Sequence, residues 1–205
     1  MSVTVIVYAW AMGRWEPDAR GRLEQAALAL YAERGFEDTT VAEIAERAGL
    51  TERTFFRHFA DKREVLFSGA SALEDALVAA VANAPDSVGP IDAAAAGLEA
   101  VAALLTDRNH SRKRQRIIAA NAELQERELI KLASLGSALG AALRDRGVTD
   151  PVASLTAEIT IAIFRIAFER WIDATNRDDL PALIRGSFDQ LKALAAADTP
   201  PVEAT

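Results

Sequence analysis

The chain has 205 residues, half of them hydrophobic, and a formal net charge of −7. This length allows one or two domains, each with a proper core. The sequence contains no cysteine, which excludes a disulfide framework and a thiolate metal site and is compatible with a reducing cytoplasm. Because the net charge is acidic, any contact with nucleic acid must come from a local basic patch.

Residues 1–13 form an N-terminal extension with an apolar stretch at residues 2–11. It lacks the basic n-region of a secretory signal and is too short to span a membrane. We therefore expect no membrane attachment. The segment is either a flexible arm or an over-long start assignment, and we favour the second reading, with Met12 as the true initiator.

A helix is predicted from Pro17 to about Arg34, followed by a helix-turn-helix over residues 40–59. Thr40 is placed to cap the first helix of the pair, and Glu43 is placed to complete a capping box. Gly49 supplies the left-handed residue that ends this helix. Thr51 is placed to cap the second helix. The apolar stripe of the first helix consists of Val41, Ile44, Ala45 and Ala48.

The second helix of the motif points Phe55 and Phe59 inward. Its outward side chains therefore include a mixture of cationic, hydroxyl and aromatic groups, which suits the acceptors and thymine methyls of a DNA major groove. We predict base contacts, or contacts flanking bases, from Arg53, Thr54, Arg57 and His58, and a further DNA contact from Phe56. The alternative is an ordinary helical hairpin with a solvated polar face.

Asp61 and Glu64 form a second possible capping box. Lys62 and Arg63 in its first turn are predicted to hold DNA phosphates, together with Thr40 and Thr51. Residues 51–63 contain four basic and two acidic side chains, so this segment carries a local net charge of +2. The DNA-binding surface is thus predicted to be a small positive patch on an acidic protein.

Residues 14–67 resemble the TetR family of bacterial transcriptional repressors. The resemblance rests on Ala26, Leu30, Tyr31, Arg34-Gly35-Phe36, Thr39-Thr40, Ile44-Ala45, Ala48-Gly49-Leu50-Thr51, Thr54-Phe55-Phe56, His58-Phe59 and Asp61-Lys62-Arg63-Glu64-Val65-Leu66. It implies a homodimer that binds a palindromic double-stranded DNA operator. The family usually has tyrosine where this chain has Phe56, so a phosphate contact from that hydroxyl is expected to be absent, with a stacking or methyl contact from the ring in its place.

Only helical signals follow the motif. Helices are predicted at about residues 61–81, 91–106, 111–120, 122–146, 151–174 and 180–196, with a linker at 83–90 and a disordered tail at 198–205. The predicted fold class is all-α. A three-helix DNA-binding domain at residues 14–67 precedes a larger helical ligand-binding and dimerisation domain at residues 68–197.

The helix around residues 158–171 is apolar nearly all round in its first half. Such a helix must be covered on two sides, and a second copy of the chain is the most plausible cover. Paired with the last helix, it would form a four-helix bundle between two protomers, which is also the dimer that the TetR resemblance implies. The predicted interface consists of Ile159, Ile163, Ile166, Leu183, Ser187, Phe188 and Leu191. In the alternative, both helices are buried within a monomer.

Residues 112–116 form a basic run that is either a solvated face or a grip for an anionic ligand. Residues 114–128, 144–147 and 164–171 resemble the mycofactocin-regulator-like group of TetR C-terminal domains, although Ala122 replaces a usual proline. This resemblance implies an acyl-CoA or other lipophilic effector. The candidate ligand residues are His110, Arg112, Arg114, Arg116, Phe164, Phe168 and Trp171. The three aromatic residues are alternatively plain core.

No pattern in the sequence indicates catalysis, a metal site or a cofactor. The two histidines lie on different elements, and no glycine-rich phosphate loop is present. We therefore expect a cytoplasmic, nucleoid-associated regulator and not an enzyme. Two rivals remain, which are a DNA-binding regulator without a small-molecule effector and a helical protein-interaction module.

Overall fold

A computed structural model describes residues 18–197. This part of the chain is helical, without a strand, and the chain divides into two compact units between Val65 and Leu66. The expectations for residues 1–13, for Met12, for a helix start at Pro17 and for a tail at 198–205 lie outside the described residues. The all-α fold class is confirmed.

The first unit contains three helices, α1 (Ala19–Arg34), α2 (Val41–Arg47) and α3 (Glu52–His58). Asp18 caps α1 by accepting a hydrogen bond from the backbone N–H of Gly21 at 2.9 Å. One apolar face of each helix is buried, and these faces form a common core. Its fully or almost fully buried members include Leu23, Ala27, Leu30, Ile44, Ala45 and Phe55.

The second unit contains the six remaining α-helices of the described chain. They are α4 (Ala70–Asn83), α5 (Pro90–Leu104), α6 (Arg108–Ala119), α7 (Ala122–Asp145), α8 (Val152–Ile172) and α9 (Leu180–Ala197). Helix α4 packs against α5 and α7, and α8 packs against α5, α7 and α9. A single apolar core runs between these helices and includes Leu77, Leu98, Leu139, Leu143 and Ile184.

The predicted continuous helix at residues 61–81 is wrong. Glu64–Phe67 forms a short 3-10 helix, and α4 begins only at Ala70. The side chain of Asp61 accepts hydrogen bonds from the backbone N–H groups of Arg63 (2.8 Å) and Glu64 (3.2 Å). These bonds cap the 3-10 helix at its N-terminus, and a turn at Ser68 and Gly69 then separates it from α4.

Helix α6 begins three residues earlier than predicted, at Arg108 and not at Ser111. Asp107 is its N-cap, and its carboxylate accepts a hydrogen bond from the backbone N–H of His110 at 2.9 Å. Aspartate is a strong N-capping residue. The cap therefore places the first turn of α6 ahead of Ser111, where the predicted helix begins.

Among residues 18–197, the stretch Glu64–Asn83 is long and apolar enough to suggest a membrane span by composition alone. The structure interrupts this stretch between Phe67 and Ala70. The 14 residues of α4 extend about 21 Å, which is less than the roughly 30 Å of a bilayer hydrocarbon core. This helix packs against α5 and α7 in the second unit.

Candidate nucleic-acid interface

The two helices of the helix-turn-helix begin at N-caps whose hydrogen bonds join residues three positions apart. The Thr40 hydroxyl accepts a hydrogen bond from the backbone N–H of Glu43 (3.3 Å), and the Glu43 carboxylate accepts one from the backbone N–H of Thr40 (2.9 Å). Gly49 has φ +65°, and the Thr51 hydroxyl accepts a hydrogen bond from the backbone N–H of Thr54 at 3.2 Å. The predicted capping box, the left-handed glycine and the second cap are therefore confirmed.

Ion pairs that the sequence prediction missed fix α2 against α1. Arg47 donates two hydrogen bonds to the Glu33 carboxylate at 2.8 and 3.2 Å, and Arg34 donates one to Glu43 at 2.5 Å. The hydrogen bond from Arg47 lowers the pKa of Glu33 below its ordinary value. The hydrogen bond from the backbone N–H of Thr40 is the main cause of the lowered pKa of Glu43.

Arg22 on α1 donates a hydrogen bond to the backbone carbonyl of Ala48, at the end of α2. A Cβ atom at Gly49 would lie only 2.8 Å from the guanidinium of Arg22. The glycine is therefore needed both for its positive φ and for this close approach. No local sequence signal indicates this contact, because the partners are 26 residues apart.

Helix α3 exposes a cationic and aromatic surface. Arg53 is exposed and makes no hydrogen bond or ion pair within residues 18–197, while Arg57 is exposed with a guanidinium nitrogen 3.5 Å from the His58 ring. The Phe56 side chain is 55% exposed, and Thr54 and His58 are half-buried. These five predicted DNA-contacting residues thus lie on one short helix.

Lys62, a predicted phosphate contact, is bonded to the protein itself. Its ammonium group donates hydrogen bonds to the backbone carbonyls of Phe36 (2.8 Å), Thr39 (3.0 Å) and Glu37 (3.1 Å). It also lies 4.3 Å from the centroid of the Phe36 ring. An ammonium has three donors, and all three are directed to the loop between α1 and α2. Lys62 thus has a structural role in the first unit, and its contact with a DNA phosphate stays a prediction.

Arg63 forms an ion pair with Asp61, two residues before it. Its guanidinium donates to the Asp61 carboxylate at 2.5 and 3.0 Å, and these bonds are the main cause of the lowered pKa of Asp61. The hydroxyl of Tyr31 donates to the backbone carbonyl of Lys62 at 2.7 Å, and burial is the main cause of the raised pKa of that phenol. The turn after α3 is therefore tied to α1.

Two arginines of the basic run at residues 112–116, which are predicted ligand residues, form hydrogen bonds within the second unit. Arg112 donates to the backbone carbonyls of Ile172 (2.6 Å) and Asp173 (3.3 Å) at the end of α8. Arg114 donates to the carbonyl of Leu66 at 2.6 Å and to the Glu128 carboxylate at 3.2 Å. Burial of Arg114 lowers the pKa of its guanidinium. Both guanidinium groups therefore have a structural role, and the binding of an anionic ligand by Arg112 and Arg114 stays a prediction.

The other predicted ligand residues divide into two groups. His110 and Arg116 are exposed on α6. Phe164, Phe168 and Trp171 form a ladder with successive ring centroids 5.8 Å apart. Two of these rings, Phe164 and Trp171, belong to the buried core. The structure thus agrees with the alternative reading of those two aromatic residues as core.

An open groove of about 690 Å³ lies between α4 and α7. It is lined by Glu74, Ile130, Ala133, Ser134, Ser137 and Ala138. The α7 members recur at helical spacing, and all but one of them are small. The sequence prediction did not single out this groove. Within residues 18–197, no group of three or more His, Asp or Glu side chains could hold a metal ion.

Three residues of the predicted dimer interface are wrong, because Ile163, Leu183 and Phe188 are buried in the protomer's own core. Ile159, Ser187 and Leu191 are half-buried, and Ile166 is 50% exposed. The outward stripe of α8 instead consists of Val152, Leu155, Ile159, Ala162 and Ile166. Because the helix is apolar on several sides, periodicity alone could not identify which side faces out.

A capped helix-turn-helix followed by a separate helical domain defines the class of helix-turn-helix transcriptional regulators. Residues 24–68 match the family model of bacterial regulatory proteins of the tetR family, and residues 88–196 match that of the MftR C-terminal domain. The chain belongs to the TetR family of bacterial regulatory proteins and is a DNA-binding transcriptional regulator.

Relatives are similar over different parts of the chain. The transcriptional regulator TcmR of Streptomyces glaucescens is 40% identical over 88 residues, 43% of this chain and 39% of that protein. A Mycobacterium tuberculosis (strain H37Rv) protein named as the mycofactocin biosynthesis transcriptional regulator MftR is 27% identical over 165 residues, 78% of this chain and 83% of that protein. The chain thus spans well under half of TcmR and most of MftR.

Solved structures share the fold. A structure described as a SmeT–triclosan complex has a TM-score of 0.62 at 20% identity and covers 91% of this chain and 97% of that one. At this identity the similarity concerns the fold alone.

Proposed function

We propose that the protein is a homodimeric, ligand-responsive transcriptional repressor that binds a palindromic operator. The observation that carries the proposal is the short, capped α3 with Arg53, Phe56 and Arg57 exposed on its surface. A recognition helix of this kind enters a major groove, and two such helices related by a twofold axis read half-sites about one helical turn apart.

In this proposal Arg53, Thr54, Arg57 and His58 read or flank bases. Their setting supports this role, because Arg53 has no partner within the described chain and α3 is held by its N-cap and by the buried Phe55. Thr40, Thr51 and Arg63 remain candidates for phosphate contacts. With only a small basic patch on an acidic chain, the affinity of one subunit is low and falls with salt. Two linked half-site contacts compensate for this weakness.

The proposed dimer interface is the outward stripe of α8 together with α9. Leu155 is 61% exposed, Ile166 is 50% exposed, and Leu194 on α9 is 69% exposed. Val152, Leu155, Ile159, Ala162 and Ile166 follow alternating spacings of three and four residues, which is the spacing of a helix–helix seam. Large exposed apolar patches of this kind mark association surfaces.

The proposed effector is an acyl-CoA or another lipophilic molecule that binds the second unit. The match to the MftR C-terminal domain supports an effector role for this unit. His110 and Arg116 are exposed on α6 and remain available to an anionic group of the effector. The effector releases DNA only if it binds the two conformational states with different affinity.

As a repressor, the dimer would occupy its operator when effector is absent and exclude other proteins from that DNA. Such a protein works in the cytoplasm at the nucleoid, and the absence of cysteine is compatible with that compartment. Effector binding would then lower the population of the operator-competent state.

The test begins with selection of bound sequences from random duplex DNA by the purified full chain. The proposal expects an inverted repeat, and release of the selected duplex by acyl-CoAs or uncharged lipophiles added one at a time. A protein that binds the repeat but ignores every compound is a regulator without an effector. A protein that selects no sequence at any salt concentration is an interaction module, and the proposal fails.

A further inference from the structure

Phe56 is an exposed aromatic side chain on a helix whose other outward residues are charged or hydroxyl-bearing. Its side chain is 55% exposed, although burying an aromatic ring of this size would be favourable by roughly 2–3 kcal/mol. The core does not need this ring, because the neighbouring Phe55 is fully buried and Phe59 is nearly so. The ring therefore points to a partner outside the protomer.

The orientation of the ring is fixed before any partner binds. Phe56 packs edge-on against Phe55, with the ring centroids 5.5 Å apart and the planes inclined by 82°. Phe55 in turn contacts Phe59 at a centroid distance of 5.4 Å. Thr51 caps the helix that carries Phe55 and Phe56, and Phe59 is the C-cap residue of that helix. Since the position of the ring is set by packing, a contact through it loses little conformational entropy on binding.

The surroundings of the ring identify the chemistry of the partner. Arg53 precedes Phe56 by three residues and Arg57 follows it directly, and both guanidinium groups are free of carboxylates in the described chain. The partner must therefore present anionic or acceptor groups around a small apolar group. In a DNA major groove, guanine N7 and O6 and the phosphates supply the acceptors, and the thymine C5-methyl is the apolar group.

We propose that Phe56 is a specificity-determining residue that contacts a thymine methyl in each half-site of the operator. This inference rests on the proposed function. It adds a preference for thymine, which the charged residues of α3 do not provide. A phenyl ring has no donor or acceptor, so it does not distinguish bases by hydrogen bonding. It discriminates between thymine and bases that lack the methyl through apolar contact alone.

The experiment replaces each thymine of the selected operator, one symmetry-related pair at a time, with deoxyuridine, which lacks only the methyl group. Binding is measured for the wild-type full chain and for Phe56→Ala. Loss of one methyl contact is expected to weaken binding about fourfold, and loss of both in the palindrome about fifteenfold. In Phe56→Ala the same uridine pair has no further effect, because the contact is already gone.

Two further variants control for structure. Phe56→Leu retains an apolar side chain and is expected to keep most of the uridine sensitivity, whereas Arg53→Ala weakens binding but leaves the uridine effect at that pair unchanged. Circular dichroism and binding to non-specific duplex check that Phe56→Ala is folded and keeps its phosphate contacts.

If no thymine pair shows coupling to Phe56 while the operator is bound normally, the inference is overturned and the proposed function stands. If Phe56→Ala weakens binding equally on every duplex, the ring contacts the backbone and the inference is also overturned. Failure of the wild-type chain to bind any duplex overturns the proposed function itself.

Discussion

The ammonium nitrogen of Lys62 lies 2.8 Å from the carbonyl oxygen of Phe36 and 4.3 Å from the centroid of the same residue's ring. The Lys62 side chain thus binds the loop after α1 and covers the ring of Phe36, although the two residues are 26 positions apart in the sequence. This contact ties the end of the helix-turn-helix to the loop between α1 and α2.

Lys62→Met is therefore expected to destabilise the first unit by about 2–3 kcal/mol, since hydrogen bonds to a charged group are lost. The salt dependence of DNA binding is expected to stay unchanged. Urea unfolding followed by circular dichroism and salt titration of binding check both points. Lys113→Met, an exposed lysine on α6, is the control and should leave stability unchanged. If the slope of log affinity against log salt falls by about 0.9 per protomer with no loss of stability, Lys62 contacts phosphate after all.

The capping box of α2 makes the stability of the first unit depend on pH. Hydrogen bonds from Thr40 hold the pKa of Glu43 below its ordinary value of 4.5. A lowered pKa contributes stability that is present above the unfolded pKa and lost as pH falls through the folded pKa. Wild type is therefore expected to be more stable than Glu43→Gln at pH 7, and the difference is expected to shrink between pH 5 and pH 3.

Unfolding free energies of both proteins across this pH range provide the measurement. Glu46→Gln, an exposed glutamate on the same helix, is the matched control and should show no such narrowing. A difference between wild type and Glu43→Gln that stays constant down to pH 3 would contradict the assignment.

Arg114 and Glu128 form a largely buried ion pair, with the guanidinium also bonded to the carbonyl of Leu66. Removing one partner leaves the other charge buried and unpaired, so Arg114→Met is expected to cost roughly 3 kcal/mol of stability. The double variant with Glu128→Met is expected to cost less than the sum of the two single changes. Denaturant unfolding of the four proteins gives the coupling. Arg116→Met is the exposed control, and additivity of the two single changes would show that the pair is not coupled.

Charged substitutions in the outward stripe of α8 are expected to convert the proposed dimer into a monomer. Leu155→Glu combined with Ile166→Glu places charges in the proposed seam and is expected to weaken dimerisation at least a hundredfold. Sedimentation measures the association state. Leu129→Glu changes a residue of α7 that is 59% exposed, close to the 61% of Leu155, and should leave the dimer intact. If both variants dimerise to the same extent, α8 does not form the dimer interface.

Features set by neighbouring residues were predictable from the sequence. The caps at Thr40 and Thr51 and the left-handed turn at Gly49 each depend on atoms within a few residues, and all three are present. The helix count and the all-α class follow from the same local signals. An exception is the start of α4, because Asp61 caps only the short 3-10 helix Glu64–Phe67, and a turn at Ser68 and Gly69 precedes α4.

The long cationic side chains were not predictable in this way. Lys62, Arg112 and Arg114 were interpreted as ligand or phosphate groups, whereas backbone carbonyls 26, 60 and 48 residues away accept their hydrogen bonds. Every residue has a backbone carbonyl, so the sequence does not show which carbonyl accepts a hydrogen bond. The outward side of α8 is predicted only in part, by Ile159 and Ile166, because Ile163 is as apolar as Ile166 and only tertiary packing separates buried from exposed residues.

The most direct test of the central proposal is the stoichiometry and salt dependence of binding between the full chain and its selected duplex. We expect two protomers per duplex, an affinity that falls steeply between 50 and 200 mM salt, as is typical of phosphate contacts, and loss of sequence preference in Arg53→Ala with Arg57→Ala. A chain that stays monomeric and binds no duplex even at low salt would contradict the proposal.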